Sequence, residues 1–563
     1  MSSMGRRGFL RLCGGAAALS LGCLQPPKPS GPRGGLEAFI EGVSAGDAET
    51  LNWILAADAA SLGYVSFTMD GLATYDNQLR LQLRWLREPV EVSRDGLEYT
   101  IPLREDLRWT DGNQVRAADF VYTMEHLMFA PWLRYTYAGD WMEEVDGAQR
   151  FVEPRVVDKN TFTIMRRRAS PEFLYTIMGL LVYPEHIARR YEGDAEAFTR
   201  AEELNNLSYT GNLGPYRFVE WIRNDKFAVE RNPDYYLGKR DGAPYFDRYV
   251  VKLFGSPAAR HAALEAGDIA YTSVDPPKVG QLIANKAIRI YTVPTNGFLL
   301  LDFNQRNGWP ALRLTEVRQA ISMAISKELL INSVLLGFGE PAFSFIPKVS
   351  PLHVDEGLER YGVGELYNKD RAREALRGGG YENIRLRIVT NSGNKTRENV
   401  AFLVRQELSE IGVEAEVKFV PWPTLLRKYL MNKTPGSDQP PRFNNGPGAV
   451  SEEPWDLLVI GYTTDLKQPS GTEIFFATDG GLNSSGYSNK KVDTFFKRLR
   501  SPEALDEGRR RELYAELSRE LSSDLPVDFL AFQYVNLGFQ TRVKGVEPGI
   551  STTYNYQWWR FED

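Results

Sequence analysis

The residues best suited to metal chemistry are sparse in this chain. The four histidines, His126, His186, His261 and His353, stand far apart, and the sequence contains neither an H-E-x-x-H run nor a closely spaced cysteine pair. A zinc site of a familiar kind needs one of these patterns. We therefore predict that each histidine is solvated or structurally hydrogen-bonded, and that the protein holds no metal.

Motifs for phosphate binding and for nucleophilic catalysis are missing as well. The glycine clusters at 378–380 and 480–481 fit neither phosphate-binding pattern, so we interpret both as turns. No G-x-S-x-G elbow occurs. The paired carboxylates of a glycosidase need not be close in sequence, so the 73 acidic residues leave that activity open. The motifs predict no catalytic centre and no cofactor.

Aromatic side chains could instead line a ligand cleft. The chain has 27 Tyr, 29 Phe and 11 Trp, and most of them must belong to the core. Trp109, Tyr216, Trp221, Trp422 and Tyr462 lie in polar, glycine-rich surroundings that also suit a cleft. For any one of them, composition alone favours the core.

The first 22 residues have the pattern of an export signal. Arg6, Arg7 and Arg11 precede a short apolar run at 12–22, which is shorter than the roughly 20 apolar residues that cross a bilayer. The paired arginines resemble the twin-arginine signal, which exports folded proteins. The alternative is an ordinary secretion signal.

Cys23 is a candidate for lipidation. Ser20-Leu21-Gly22-Cys23 is similar to a lipobox, although Ser20 stands where an aliphatic residue is usual. The Pro/Gly-rich run that follows makes 23–35 a lipidated cysteine and tether. We expect a protein at the extracytoplasmic or periplasmic face, anchored through a lipid on Cys23, with simple secretion as the alternative. The body has no thiol, because Cys13 lies in the signal.

Charge and length exclude one class of partner and allow large cores. The net charge of −6 becomes −9 once the three signal arginines are removed, and a mildly acidic body argues against nucleic acid as a partner. At 563 residues the chain is too long for one domain.

Two segments show how the body is built. Leu97, Tyr99, Ile101 and Leu103 alternate as on a half-buried strand, and an Asp-Gly turn leads to a helix from 118 that Asp119 helps to begin. The segment 384–419 reads strand, helix, strand, which predicts a parallel pair with a right-handed crossover. The body is therefore mixed α/β.

Two further segments have patterns of their own. The run 316–339 has the apolar spacing of a single helix that ends at its glycines. The segment 433–454, rich in Pro, Gly and Asn, is a long loop that serves as a lid or is a tolerated surface insertion.

Short sequence blocks then match one family in order along the chain. They are Leu103-Arg104, Trp109-Thr110-Asp111-Gly112 with Ala118-Asp119-Phe120-Val121, GNLGPY at 211–216, RNPDYY at 231–236, LEAGD at 264–268, Phe303-Asn304 with VRQA at 317–320, and GYSN at 486–489 with Val492-Asp493. In these blocks the chain resembles the extracellular solute-binding proteins of peptide-type ABC importers, the group that contains oligopeptide-, dipeptide- and nickel-binding proteins.

The resemblance implies an α/β, two-lobed periplasmic-binding-protein fold (type II, Venus flytrap) with an extra subdomain in the first lobe. The implied division is lobe I at 36–72, an inserted subdomain at 73–205, lobe I again at 206–295, lobe II at 296–520 and a return to lobe I at 521–563. Ligand binding favours a closed hinge state, and this state docks on an ABC permease. A monomer is expected.

The resemblance also implies the ligand and its contacts. Asp465 corresponds to the aspartate that pairs with a peptide's α-ammonium, while Tyr462, Trp422 and Asn304 complete the implied ligand-binding set. For Asp465 the alternative is the cap of a turn before Pro469. Val459 stands where oligopeptide binders can carry an arginine for the ligand's carboxylate. A sugar, a metal chelate or an opine therefore stays open as cargo, as do a glycan or peptide hydrolase and a ligand-sensing receptor or chaperone as function.

Overall fold

The structure, a computed structural model, describes residues 37–562 apart from 45, 57, 134, 136 and 206–212. The predicted export signal, Cys13, Cys23 and the tether lie outside these residues. Within the described ranges no helix combines the length and the apolarity needed to cross a bilayer.

The described residues form many short elements and two long strands. In chain order the strands are β1 (Ala38–Val43), β2 (Ala73–Tyr75), β3 (Leu81–Leu83), β4 (Glu91–Val92), β5 (Glu98–Pro102), β6 (Met142–Val145), β7 (Ala148–Phe151), β8 (Glu153–Asp158), β9 (Thr161–Met165), β10 (Tyr216–Ile222), β11 (Lys226–Arg231), β12 (Arg248–Leu253), β13 (Tyr271–Val274), β14 (Ile288–Phe303), β15 (Gly339–Pro341), β16 (Arg385–Asn391), β17 (Glu414–Val420), β18 (Asn432–Lys433), β19 (Val450–Ser451), β20 (Leu457–Thr463), β21 (Val527–Gln540), β22 (Val543–Lys544) and β23 (Arg560–Phe561). The α-helices are α1 (Ala59–Val65), α2 (Ala117–Tyr122), α3 (Phe173–Met178), α4 (Glu185–Ala188), α5 (Ala195–Arg200), α6 (Glu202–Asn205), α7 (Gly238–Asp241), α8 (Pro257–Ala266), α9 (Pro276–Ile283), α10 (Thr315–Ala324), α11 (Lys327–Leu329), α12 (Lys369–Gly378), α13 (Lys395–Ser409), α14 (Trp422–Thr424), α15 (Glu473–Phe476), α16 (Lys490–Leu499) and α17 (Glu507–Asp524).

One mixed sheet runs through both halves of the molecule. Its order is β10-β11-β12-β1-β13-β21-β14-β20-β16-β17, and β15 also pairs with β21. The long strands β14 and β21 pair antiparallel with each other in the middle of this order. They therefore join two halves, which we call lobe I (β1, β10–β13 and the elements packed on them) and lobe II (β16, β17, β20 and their helices).

The pairing of β14 with β21 is interrupted between Pro294 and Phe298. Here the Thr295 hydroxyl donates to the carbonyl of Gln533 at 2.8 Å, and the side-chain amide of Asn296 donates to the carbonyl of Thr464 at 2.8 Å. The interruption includes residues 295 and 296, and a lobe boundary at this point stays a prediction.

Lobe I packs apolar layers on both faces of its part of the sheet. In β1, Phe39 points into a large core with Tyr249 and Trp559. The opposite face is covered by α8 and α9, whose Leu264 and Leu282 are fully buried. The inserted segment adds a separate four-stranded sheet in the order β4-β5-β9-β8.

The strand predicted over 97–103 and the helix predicted from residue 118 are confirmed. In β5, Tyr99 and Ile101 are buried as the alternation indicates. Asp119 lies in the first turn of α2 and accepts hydrogen bonds from the backbone N–H of Arg116 at 2.8 Å and from the indole N–H of Trp109 at 3.3 Å. The helix start is therefore fixed by a carboxylate, as is favourable near N-termini.

Lobe II contains the predicted strand-helix-strand unit. β16 and β17 are parallel and α13 crosses between them. The neighbouring β20 carries the apolar run Leu457–Ile460, whose members alternate between the two cores on either side of the sheet. A strand buried on both faces reads as a continuous apolar run.

The single helix predicted over 316–339 is wrong. α10 ends at Ile325, which is extended (φ −101°, ψ 113°), and the chain restarts as α11 before a π-helical turn at Leu330–Val334. The Ser326 hydroxyl caps the new helix by accepting from the N–H of Leu329 at 3.1 Å. The break turns Lys327 into the core, where its Nζ lies 2.8 Å from Oδ1 of Asp528.

Candidate functional site

The carboxyl ends of the parallel strands β16, β17 and β20 lie at one edge of lobe II, the edge that faces lobe I. Ligands of α/β proteins characteristically bind at such an edge. β20 ends at Thr463, and Asp465 follows two residues later. Trp422 follows the end of β17 in the same way.

A cavity of about 380 Å³ lies between this edge and lobe I. We call it the interlobe cavity. Its lobe I wall comes from Ala73–Tyr75 of β2 and from Tyr175 and Met178 of α3, and its lobe II wall from residues 465–468. Asn296, at the interruption of β14, also lines it. The volume falls at the lower end of the range of ligand pockets.

Asp465 is exposed on the wall of the interlobe cavity. Its Oδ1 accepts the backbone N–H groups of Lys467 and Gln468, both at 2.7 Å. The structure therefore places Asp465 both as the cap of a turn and as a cavity-lining carboxylate, so the two alternatives are compatible.

Lys467 gives the same wall a charge of the opposite sign. Its Nζ lies 4.3 Å from the ring centroid of Tyr75 across the cavity, a cation–π contact between the lobes. Burial lowers the pKa of Lys467, and the carboxylates of Glu507 and Asp465 oppose that shift. One wall thus carries an acidic and a basic group two residues apart.

Glu172 is a second contact between the lobes. It precedes α3, and its carboxylate accepts hydrogen bonds from the hydroxyls of Ser470 and Tyr514. Its backbone carbonyl accepts the side-chain amide of Gln468. Burial raises the pKa of Glu172 to about 7, although the two hydroxyl bonds lower it. Sequence reasoning missed this residue, since 298 positions separate Glu172 from Ser470.

Tyr462 lies on the lobe II side of this region and is half-buried. Its ring stacks on Phe475 at 4.1 Å between centroids and meets Phe298 edge-on at 6.4 Å. Burial, and next the nearby Asp302, raise the pKa of its hydroxyl. Tyr462 thus supports the strand end below Asp465 from inside lobe II.

Trp422 is 44% exposed at the same strand edge. The guanidinium of Arg397 lies 5.9 Å from its ring centroid. Arg397 also donates to the side chain of Asn391 at 2.8 Å and to the carbonyl of Gly461 at 3.2 Å. The indole is therefore exposed beside the ends of β16 and β20, outside the wall of the interlobe cavity.

Asn304 lies elsewhere. It is 1% exposed, donates to the carbonyl of Trp455 at 2.9 Å, and accepts from the backbone N–H groups of Arg306 and Asn307. β14 pairs Phe303 with Leu457 but Gly297 with Thr463, so Asn304 is at the opposite end of β20 from Asp465, roughly 20 Å away at the rise of a strand. Asn304 holds a turn, and we do not include it in the proposed ligand site.

The segment 433–454 is at this remote end too. Arg306 donates to the side chain of Asn444 at 3.0 Å and to the carbonyl of Ser484 at 3.3 Å. Because Arg306 follows Asn304, the part of the loop around Asn444 packs away from the interlobe cavity.

The remaining cleft candidates are in the core of lobe I or, for Trp221, half-buried against it. Trp109 and Tyr216 are fully buried in the lobe I core, and Trp221 donates from its indole to Asp47 at 3.0 Å. Among the described residues no group of three or more His, Cys, Asp and Glu side chains is arranged to hold a metal.

Comparison with known proteins gives the fold a context. A profile of bacterial extracellular solute-binding proteins, family 5 Middle, matches residues 81–483. The oligopeptide-binding protein AppA of Bacillus subtilis (strain 168) is 24% identical over 538 residues, 92% of this chain and 90% of that protein. The ABC transporter substrate-binding protein CtaP of Listeria monocytogenes has a TM-score of 0.78 at 23% identity, covering 93% of this chain and 99% of that one. AppA from Bacillus subtilis in complex with a nonapeptide has a TM-score of 0.69 at 20% identity, with the same coverages.

These similarities confirm the predicted two-lobed α/β fold of periplasmic binding proteins and the predicted family. Because the profile spans more than half of the sequence, the chain belongs to the bacterial extracellular solute-binding proteins of family 5.

Proposed function

We propose that this solute-binding protein captures a short peptide-like ligand in the interlobe cavity and delivers it to an ABC permease without chemical change. The observation that carries the proposal is the cavity itself, which is lined by residues of both lobes and has Asp465 on its wall. A ligand that contacts both lobes at once favours the closed state over the open one, which is what a delivery protein needs.

The charges of the cavity wall fit the two ends of a zwitterion. Asp465 would pair with the α-ammonium, since charge-assisted hydrogen bonds are the strong kind. Lys467 is a candidate partner for the ligand's carboxylate. Val459, which stands where oligopeptide binders can carry an arginine, has no charge with which to bind that group. Trp422 would contact only the part of a ligand that extends beyond the cavity on the lobe II side, and Tyr462 would hold the strand end that presents Asp465.

The division of the chain supports a hinge at the interruption of β14. Lobe I would comprise 36–72, 206–295 and 521–563, with the inserted subdomain at 73–205, and lobe II would comprise 296–520. The interruption between Pro294 and Phe298 lies where β14 passes from one lobe to the other. Hinges are a few residues that absorb a change of backbone angles.

Attachment to the membrane forms a separate part of the proposal. Lipidation of Cys23 would hold a monomer at the extracytoplasmic face, within reach of its permease, with 23–35 as the tether. A single lipid chain gives only marginal anchoring, so stable attachment requires more than one chain or signal.

Titration of the purified body with unblocked and N-acetylated peptides of two to five residues, by calorimetry, tests the proposal. We expect saturable binding of the unblocked peptides and recovery of the peptide intact. Release of cleaved product would establish a hydrolase instead. Mass spectrometry of the co-purified ligand identifies the cargo, and a sugar, an opine or a metal chelate there would replace the peptide. Loss of peptide uptake in a strain without the protein separates transport from sensing.

A further inference from the structure

A second cavity lies within lobe I. Its volume is about 520 Å³, which is within the range of small-molecule pockets. One face of the sheet forms its floor, with Glu41 and Val43 from β1 and Tyr249 and Val251 from β12. The roof consists of α1 and the 3₁₀ helix Thr552–Trp558. We call it the lobe I cavity.

Glu41 places a carboxylate on the floor of this cavity. It accepts a hydrogen bond from the Tyr249 hydroxyl at 2.8 Å. Burial raises the pKa of Glu41 to about 7 despite that bond. Among the described lysines and arginines none forms an ion pair with Glu41. A half-buried carboxylate without a cation is costly when ionised, so the cavity has a place for a positive charge.

The other two charges of the cavity compensate each other. Asp70 accepts hydrogen bonds from the hydroxyls of Tyr235 at 2.9 Å and Tyr236 at 2.6 Å. Arg84 is 4% exposed and donates to the carbonyl of Tyr554 at 3.1 Å. Burial alone would lower the pKa of Arg84, but the attraction of the Asp70 carboxylate, together with that of nearby tyrosines, outweighs burial, so the pKa lies above the ordinary value of arginine. Arg84 therefore stays charged beside an anion, and Glu41 is the uncompensated group.

Aromatic rings surround the space above Glu41. The ring centroids of Phe67 and Tyr249 are 4.6 Å apart, those of Phe67 and Tyr556 5.1 Å, and those of Tyr249 and Tyr556 5.9 Å. Tyr64 adds a ring from α1. Ring faces attract cations and also accept an alkyl chain.

We propose that the lobe I cavity binds an organic cation with N–H groups, an alkylammonium or a guanidinium, whose charge pairs with Glu41 and whose carbon chain lies among the aromatic rings. An anion in this cavity would be repelled by Glu41, and Arg84, already compensated by Asp70, would not offset that repulsion. A neutral alcohol would leave the carboxylate unpaired.

The pH dependence follows from the groups that face Glu41. Tyr64, Tyr249 and Tyr271 face it from α1, β12 and β13 and remain neutral near pH 7, because burial first and nearby carboxylates next raise their pKa values. The cation favours ionised Glu41 and displaces its proton. Affinity should therefore fall as the pH decreases below about 7 and stay constant above it.

The cation has two sources, a free amine or a side chain of the ligand in the neighbouring cleft. Thr74 lines both cavities, so the two spaces share a wall. The second source rests on the proposed peptide function, whereas the first does not.

Titration with n-butylammonium and n-butylguanidinium, with 1-butanol as the neutral control, tests the site. We expect both cations to bind the wild type and to bind Glu41→Gln at least tenfold more weakly. The glutamine oxygen can still accept the Tyr249 hydrogen bond, and thermal unfolding checks that the variant folds. If it does not fold, the pH series on the wild type decides, with about tenfold weaker binding for each pH unit below 7.

Four outcomes would each overturn the proposal. The cations could bind Glu41→Gln as tightly as the wild type, or butanol could bind as tightly as butylammonium. Cation binding could also be independent of pH, or it could fail to saturate. Tripeptides with lysine or norleucine then identify the source. A preference for lysine that disappears in Glu41→Gln shows a ligand side chain, whereas butylammonium binding alongside a bound peptide shows a free amine. If no peptide binds while butylammonium does, the proposed peptide function fails and the cation site stands.

Discussion

The carboxylate of Glu172 accepts a hydrogen bond from the hydroxyl of Tyr514, which joins the inserted subdomain to α17 of lobe II. Ser470 donates to the other oxygen of the same carboxylate. In the open state that the proposed hinge implies, this carboxylate would lose its lobe II partners. Its protonation would therefore be coupled to closure.

Closure should become less favourable as the pH rises. An exposed carboxyl has a pKa near 4.5, whereas burial gives Glu172 a pKa of about 7 in the closed state. Between pH 4.5 and pH 7, closure of the lobes is therefore accompanied by uptake of a proton at Glu172. The ratio of closed to open molecules is highest below pH 4.5, falls by up to about tenfold per pH unit towards pH 7, and changes no further above it. Small-angle scattering or a fluorescence pair across the lobes, from pH 4 to 8, measures this.

Glu172→Gln is the matched control for this pH dependence. The amide keeps an acceptor for Tyr514 but does not titrate, so the population of the closed state should become flat with pH. Arg510, whose charge stabilises ionised Glu172, and Asp465, whose charge opposes it, remain in place. An unchanged pH profile in this variant would show that another group controls closure.

Asp465→Asn should weaken an α-amino ligand by at least tenfold, about 1.4 kcal/mol. The asparagine oxygen can still accept the N–H groups of Lys467 and Gln468, so the turn survives while the charge is lost. A charged hydrogen bond contributes about 1.5–3 kcal/mol, which sets this expectation. Calorimetry with one peptide and its N-acetylated form measures it, and the acetylated form should bind both proteins alike. A smaller loss, or equal binding of the two peptides to the wild type, would remove Asp465 from the ammonium site.

The local patterns of the sequence predicted much of the fold, because strand and helix periods are visible within a few residues. β5 and the β16-α13-β17 unit follow their apolar spacing. The break at Ile325 was not visible, since it depends on Lys327 reaching Asp528 some 200 residues away, a partner no local period shows. The spacing was that of one continuous helix.

The candidate site was less predictable than the fold. Asp465 lines the interlobe cavity, but Asn304, in one of the blocks that match the family in order, holds a remote turn. Family motifs mark what the scaffold needs, which includes positions far from the ligand. Glu172 and Tyr75 meet lobe II only through the tertiary fold, so the sequence gives no signal for either contact.

Removing one partner of the buried ion pair of Lys327 and Asp528 should be strongly destabilising. The side chains are 2% and 0% exposed, and Lys327 also donates to the carbonyls of Phe529 at 2.6 Å and Ala342 at 2.9 Å. Lys327→Met leaves the Asp528 carboxylate buried without a cation, which costs about 3–5 kcal/mol of unfolding free energy. Urea unfolding of the full chain, followed by circular dichroism, measures this loss of unfolding free energy. The double variant Lys327→Met/Asp528→Leu should recover much of it, and a double variant as unstable as the single one would show that packing, not charge, sets the cost.

Cys23→Ser should move the protein from the membrane fraction to the soluble fraction. The lipid would be attached through the cysteine sulfur, and serine offers no equivalent nucleophile at this step. Metabolic labelling with a radioactive fatty acid should mark the wild type and leave the variant unlabelled. Cys13→Ser is the matched control, because that residue is predicted to be removed with the export signal and should not alter the distribution. A wild type that is already soluble, or a Cys23→Ser variant that stays on the membrane, would show that the protein is secreted or held by other contacts.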